Sequence, residues 1–277
     1  MWLLLAVVHS LMMCSTLPSS PAAAHAAAVA HLTSNRNPSR DQTVDLSLQA
    51  TLALRARLSS RWASEDVPWR IFCESVLPYA CLDEPRCDCS LRQRLFDRFM
   101  PIVADADDAL EAASRLNTHV WESLGVVFQP NLSPALLAPV DVVAAGRASC
   151  TGLSLLLVAC CRAVGVPARV VGVLDWGDAF GGGNHVWVEI HSRGAWHYVG
   201  AAEPSPFNST WFDERVRAPD GPRVFASAFQ RPDGAEDAPT FPLPWATDQA
   251  DNDVPAIDVT SRYRAHGAEG RTAECTG

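Results

Sequence analysis

The clearest pattern in the chain runs from Gly146 to Trp176, GRASCTGLSLLLVACCRAVGVPARVVGVLDW. Leu153 to Val164 is apolar at nearly every position, with Ser154 and Arg162 the exceptions. A helix apolar on all sides belongs in the middle of a domain rather than on its surface. Ser149 stands before it as a capping residue, Gly165 closes it and Pro167 forbids continuation, which predicts a buried helix over 150–164. Strand material follows. ARVVGV (168–173) is rich in β-branched residues, HVWVEI (185–190) alternates, and WHYV (196–199) returns after the turn HSRGA. The fold class is therefore α+β, a buried central helix packed on antiparallel hairpins. Within the alternating strand His185, Trp187 and Glu189 share one face, and Val186, Val188 and Ile190 the other.

Upstream, helical patterns cover 91–99 and 105–124; the second opens on acidic residues and stops at Gly125, with extended chain over 126–129. The apolar run WLLLAVVHSLMM and the small residues around Ala24 and Ala26 have the layout of a signal peptide, residues 1–26. That layout predicts a secreted protein, or one of the secretory pathway or cell envelope, with no stable membrane insertion once the signal is removed. Residues 27–64 read as a linker with a short helix, 65–264 as one domain and 265–277 as a disordered tail.

The net charge of −9 is opposite in sign to a phosphate-binding surface, so nucleic acid is not an expected partner. All 22 basic residues are arginine, which removes lysine Schiff-base chemistry and lysine-mediated self-crosslinking. In an oxidising compartment Cys73, Cys81, Cys87, Cys89 and Cys275 are the disulfide candidates, whereas Cys160 and Cys161 sit on the buried helix as core thiols. The spacing of Cys81, Cys87 and Cys89 lacks the paired C-x₂-C of structural zinc, and no calcium loop is present, so neither a metal nor another cofactor is expected. Of the two glycosylation sequons, at Asn131 and Asn208, which only a eukaryotic secretory route would use, the second lies in a polar loop and is the better candidate.

Cys150 opens the buried helix. Unpaired N–H groups and the helix dipole there favour a thiolate and can face a developing oxyanion, which predicts a nucleophile of lowered pKa. His185 opens the alternating strand after a run of glycines, 35 positions later, where it can reach the helix tip as general base.

GRASCTGLSLLLVACCRAVGVPARVVG, GNHVWVEI and WHYVGAAEP together resemble the core of the transglutaminase-like superfamily, and LPYACLDEP, LNTHVWESLGV and VPAIDVTSRY resemble flanks of its members. The resemblance runs from about Trp69 to Tyr263. It implies a papain-like core, Cys150 as nucleophile, His185 as base and an acid near position 200, acting by acyl transfer from glutamine-type amides of a protein or peptide to an amine or to water. A cysteine peptidase or an inactive binding fold are the alternatives it leaves. Position 200, where the aspartate is commonly found, is glycine here. Glu203 is the favoured substitute and Glu189 its competitor. The resemblance also implies a side-chain oxyanion donor upstream of the nucleophile, for which Asn117 and Trp121 on the preceding helix are the available candidates, although both read as packing residues.

Overall fold

The computed structural model describes residues 18–86, 90–132, 134, 136–203, 205–230, 238–246 and 252–265. Helices α1 (Pro21–Asn35), α2 (Leu46–Leu58), α3 (Arg61–Glu65) and α4 (Trp69–Ser75) lead into α5 (Ser90–Val103), α6 (Ala109–Leu124), α7 (Pro139–Ala145), α8 (Cys150–Ala163) and the short α9 (Asp213–Arg217). Strands β1 (Val127–Phe128) and β2 (Arg147–Ala148) form a small parallel pair. Strands β3 (Ala168–Val173), β4 (His185–Ser192), β5 (Ala195–Val199), β6 (Phe225–Ser227) and β7 (Ala256–Asp258) form an antiparallel sheet in the order β5-β4-β3-β6-β7. The α+β class and the antiparallel sheet behind the cysteine helix are as the sequence predicts.

The buried helix is α8. Its leucines and valines lie in the main core with Val170, Val186, Val188 and Ile190 of the sheet and Leu95, Phe99 and Leu116 of α5 and α6. The two polar exceptions are accounted for by their bonds. Ser154 Oγ donates to the Val186 carbonyl at 3.1 Å, and the Arg162 guanidinium donates to the carbonyls of Ser75, Pro78, Ala80 and Ala168. A buried donor without such partners would cost about 1–3 kcal/mol, so α8 can be central only because these carbonyls face it. The helix α6 is capped by Asp108, whose side chain accepts from the Glu111 N–H, and ends at Gly125 with φ +67°, a left-handed position that glycine adopts without strain. The β4–β5 hairpin turns through Arg193 and Gly194, both at positive φ, matching the twist of the strands it joins.

Alternation in β4 holds, yet all eight of its residues are buried. Val186, Val188 and Ile190 face α8; Trp187 faces a second cluster with Trp176, Tyr198, Phe212 and Tyr263. Segments from the C-terminal third of the chain cover what would otherwise be an open face.

Residues 27–64 are not a linker. The helices α1 and α2 pack Ala27, Ala28, Leu32, Ala50 and Ala53 against Phe72, Val76 and Leu77. Alanine carries the highest intrinsic helix propensity, and Ser20 caps α1 by accepting from the Ala23 N–H at 3.2 Å. The small-residue stretch that resembles a cleavage site is thus helical, and α1 runs through Ala24 and Ala26. The cysteine expectations change as well. Among the described residues no disulfide is formed; Cys81, Cys160 and Cys161 are thiols. Burial pushes the Cys81 thiol up to about 12. Cys87, Cys89 and Cys275 lie outside the described residues, as do most of the signal-peptide segment and the tail. No helix among the described residues is long and apolar enough to cross a membrane.

Candidate active site

Cys150, His185 and Glu203 line one cleft of about 670 Å³, together with Phe128, Trp211 and Trp245. Three separate elements bring them there: the first turn of α8, the first residue of β4 and the loop after β5. The Val186 N–H, next in the chain to His185, and the hydroxyl and N–H of Thr151 act to favour the ionised Cys150 sulfur.

Enclosure decides the protonation state of both groups. Burial pushes the Cys150 thiol up, against those groups and its own N–H. The helix terminus therefore does not yield the lowered pKa expected from sequence, because the sulfur lies too deep for the dipole to offset its lost hydration. Burial, and secondarily the positive charge of Arg215, pulls the His185 imidazole down to about 4. At neutral pH the pair rests as neutral thiol and neutral imidazole.

The imidazole is held by rings. Trp211, Phe212, Trp187 and Trp176 surround it with centroids 5.0, 5.2, 5.8 and 6.2 Å away. Its Nε2 is buried and has no hydrogen-bond partner. Such an atom has given up water without a replacement, and a carboxylate brought beside it would be strongly favoured.

The two acids expected to compete are placed very differently. Glu189 is enclosed by Arg169 at 2.8 Å, by Arg262 and by the Tyr263 hydroxyl at 2.7 Å. Burial opposes its charge, but Arg169 and then Arg262 outweigh this and hold its carboxyl below the usual range. It does not line the cleft. Glu203 does, and its Oε1 accepts from the Trp211 indole at 3.1 Å. Burial raises the Glu203 carboxyl, with the Trp211 bond opposing. No hydrogen bond joins Glu203 to His185. The Glu203 carboxyl instead lies over Gly200: a Cβ built there would stand 2.1 Å from Oε2 and 2.3 Å from Cδ. The carboxylate fills the space in which a side chain at position 200 would begin.

A model described as the transglutaminase-like superfamily matches residues 99–201. This stretch is a transglutaminase-like domain. The matched stretch contains Cys150, His185 and Gly200 and ends at Ala201, two residues before Glu203. The chain is similar in structure to "a Putative Cysteine Protease" from Cytophaga hutchinsonii, with 16% identity, TM-score 0.35 and coverage of 42% of this chain and 39% of the other. It is also similar to "a Putative Protease" from Parabacteroides distasonis, with 13% identity, TM-score 0.37 and coverage of 66% and 29%. The chain thus spans well under half the length of either structure. No curated protein matches it.

Sequence reasoning missed Trp176, Trp211 and Trp245 as parts of the site. The first two pack on the imidazole, and the third lines the cleft from a distant segment. Trp211 is 55% exposed, and that exposure of a large aromatic at a cleft mouth is the kind of signal only a structure supplies. The Asn208 sequon also changes meaning. Its Oδ1 accepts from the Tyr198 N–H at 3.0 Å and its amide contacts His197 at 3.1 Å, so the carboxamide already serves the loop.

Proposed function

We propose that the protein is a thiol acyl transferase acting on glutamine-type carboxamides of a protein or peptide, with an amine or water as acceptor. The observation that carries this reading is the seating of Cys150 at the tip of α8, within one cleft that also holds His185 and Glu203. As Sγ attacks the amide carbon, His185 takes the thiol proton; the carbonyl oxygen becomes an oxyanion that backbone N–H groups at the helix terminus can face. The C–N bond then breaks, the imidazolium gives its proton to the departing ammonia, and a thioester remains on Cys150. An amine or water attacks the thioester, yields its proton to the imidazole, and the thiol is restored by return of that proton. Because both groups rest neutral, the base acts during attack rather than by storing a thiolate.

The test is incubation with a glutaminyl peptide, with and without a dansylated primary amine, read by mass spectrometry of peptide and enzyme. Ammonia release, an acylated Cys150 and either the amine adduct or the deamidated peptide are expected, and Cys150→Ala abolishes all three. Cleavage of the peptide backbone would replace the carboxamide substrate with a peptide bond and make the protein a cysteine peptidase. No acylated Cys150 with any peptide, together with alkylation unaffected by His185→Ala, would overturn the enzymatic reading.

A further inference from the structure

Glu203 reaches the cleft only because the chain after β5 doubles back. Residues 200–203 form a tight turn, with the Glu203 N–H donating to the Gly200 carbonyl at 3.2 Å. Ala202 sits at φ +63°, a left-handed position that strains a residue with a side chain. Something must hold that turn, and one side chain does so. Asn117, buried on α6, donates from Nδ2 to the Gly200 carbonyl at 3.0 Å and to the Glu203 carbonyl at 3.1 Å, while its Oδ1 accepts from the Ala202 N–H at 3.0 Å. Trp121 braces the carboxamide in turn, its indole donating to the Asn117 carbonyl at 2.7 Å and approaching Oδ1 at 3.3 Å. Asn117 does not line the cleft, so it is placed neither as a packing residue alone nor as an oxyanion donor.

We propose that Asn117 is the positioning residue for the site's acid: it fixes the Gly200–Glu203 turn in the form that lays the Glu203 carboxyl over the side-chain-free Gly200, on the cleft side. This rests on the reading of Cys150 and His185 as the reacting pair and adds the means by which a carboxylate three residues displaced is delivered to the cleft they line. Gly200 is the second part of the device, since any side chain there meets the carboxyl. The geometry also makes a reciprocal statement. A side chain carrying a carboxylate at position 200 would begin in that space without needing the turn, and so would no longer depend on Asn117.

The test uses the rate of Cys150 alkylation by iodoacetamide against pH, the titration of the His185 imidazole by NMR, and thermal melting as a check of folding. In the wild-type background Asn117→Ala and Glu203→Gln are expected to lower the alkylation rate at neutral pH by a similar factor, about tenfold, and to move the His185 titration alike. The double variant should be no worse than either single, as for residues acting on one path. In the relocated background, Gly200→Asp with Glu203→Ala, the rate should recover and the further change Asn117→Ala should alter it less than about twofold. A merely structural asparagine would impose the same loss in both backgrounds. Where truncation prevents folding, Asn117→Asp is the second variant, removing both Nδ2 donations while keeping the size and the Ala202 bond; it is expected to reproduce the Glu203→Gln profile. An Asn117 variant with the wild-type profile, or losses that multiply with those of Glu203→Gln, overturns the proposal. If His185→Ala leaves alkylation unchanged, the reacting-pair reading itself has failed, which is a separate result.

Discussion

His185 and Glu189 stand on the same face of β4, two alternate positions apart, and the protein treats them in opposite ways. At Glu189 the oxygens are paired with Arg169, Arg262 and the Tyr263 hydroxyl. At His185 the surroundings are aromatic rings, and Nε2 is left without a partner. A buried group with every bond made is fixed in charge and place and contributes to holding the sheet. A buried group with a bond unmade costs stability but stays available for chemistry. The contrast separates two polar residues that alternation alone makes equivalent.

The largest change expected from breaking this contrast is at the satisfied end. Glu189→Ala would leave Arg169 buried without its counter-charge, at a cost of about 3–5 kcal/mol. Urea unfolding measures this, and a loss below about 1 kcal/mol would mean the cluster does not hold the strand. Next comes the pH dependence at the unsatisfied end. The folded-state value for His185, about 4, lies below the unfolded value, so as pH falls from about 6.5 the unfolded chain binds a proton that the folded protein refuses. Stability therefore drops by about 3 kcal/mol between pH 6.5 and 4 from this group, and is fully present above that window. His185→Phe should flatten that slope in unfolding curves taken across the window. The Glu189 carboxyl is held below its usual range, so its contribution is present above the usual carboxylate range and is lost as pH falls through the lowered folded value.

Smaller effects sharpen the picture of the third residue. Gly200→Ala drives a Cβ into the Glu203 carboxyl and should cost about 1–3 kcal/mol while reproducing the Cys150 alkylation profile of Glu203→Gln. A wild-type profile in that variant would show that the carboxyl does its work elsewhere. Trp211→Phe keeps a ring against His185 and removes the indole donor from Glu203. Burial then acts on that carboxyl unopposed and its titration moves further up, seen as a displaced acidic limb in the pH profile of alkylation, with at most about 1 kcal/mol lost in stability.

Much of this arrangement is legible in the sequence where local rules suffice. The unbroken apolar run predicts α8 as central, Gly125 marks the end of α6, and the alternating and β-branched stretches give β3 to β5. The positions of Cys150 and His185 follow from those element starts. What local rules miss depends on distant chain. The choice between Glu189 and Glu203 turns on Arg262 and Tyr263, more than 70 positions from Glu189, which occupy the carboxylate that strand periodicity would have offered to His185. The protonation state of Cys150 depends on how deeply loops enclose the sulfur, a quantity the helix terminus does not reveal. The helices α1 and α2 escape pattern reading because alanine-rich segments bury small residues with little contrast between faces, so a packed helix there looks like a spacer.

The carboxyl resting on Gly200 also constrains how such a site can change over generations. A side chain at position 200 and the present conformation of Glu203 exclude each other, so the two substitutions that would exchange one acid for the other cannot be gained independently. Whichever comes first either displaces the existing carboxylate or removes it before its replacement is present. The effect of a mutation at one position thus takes its sign from the residue at the other.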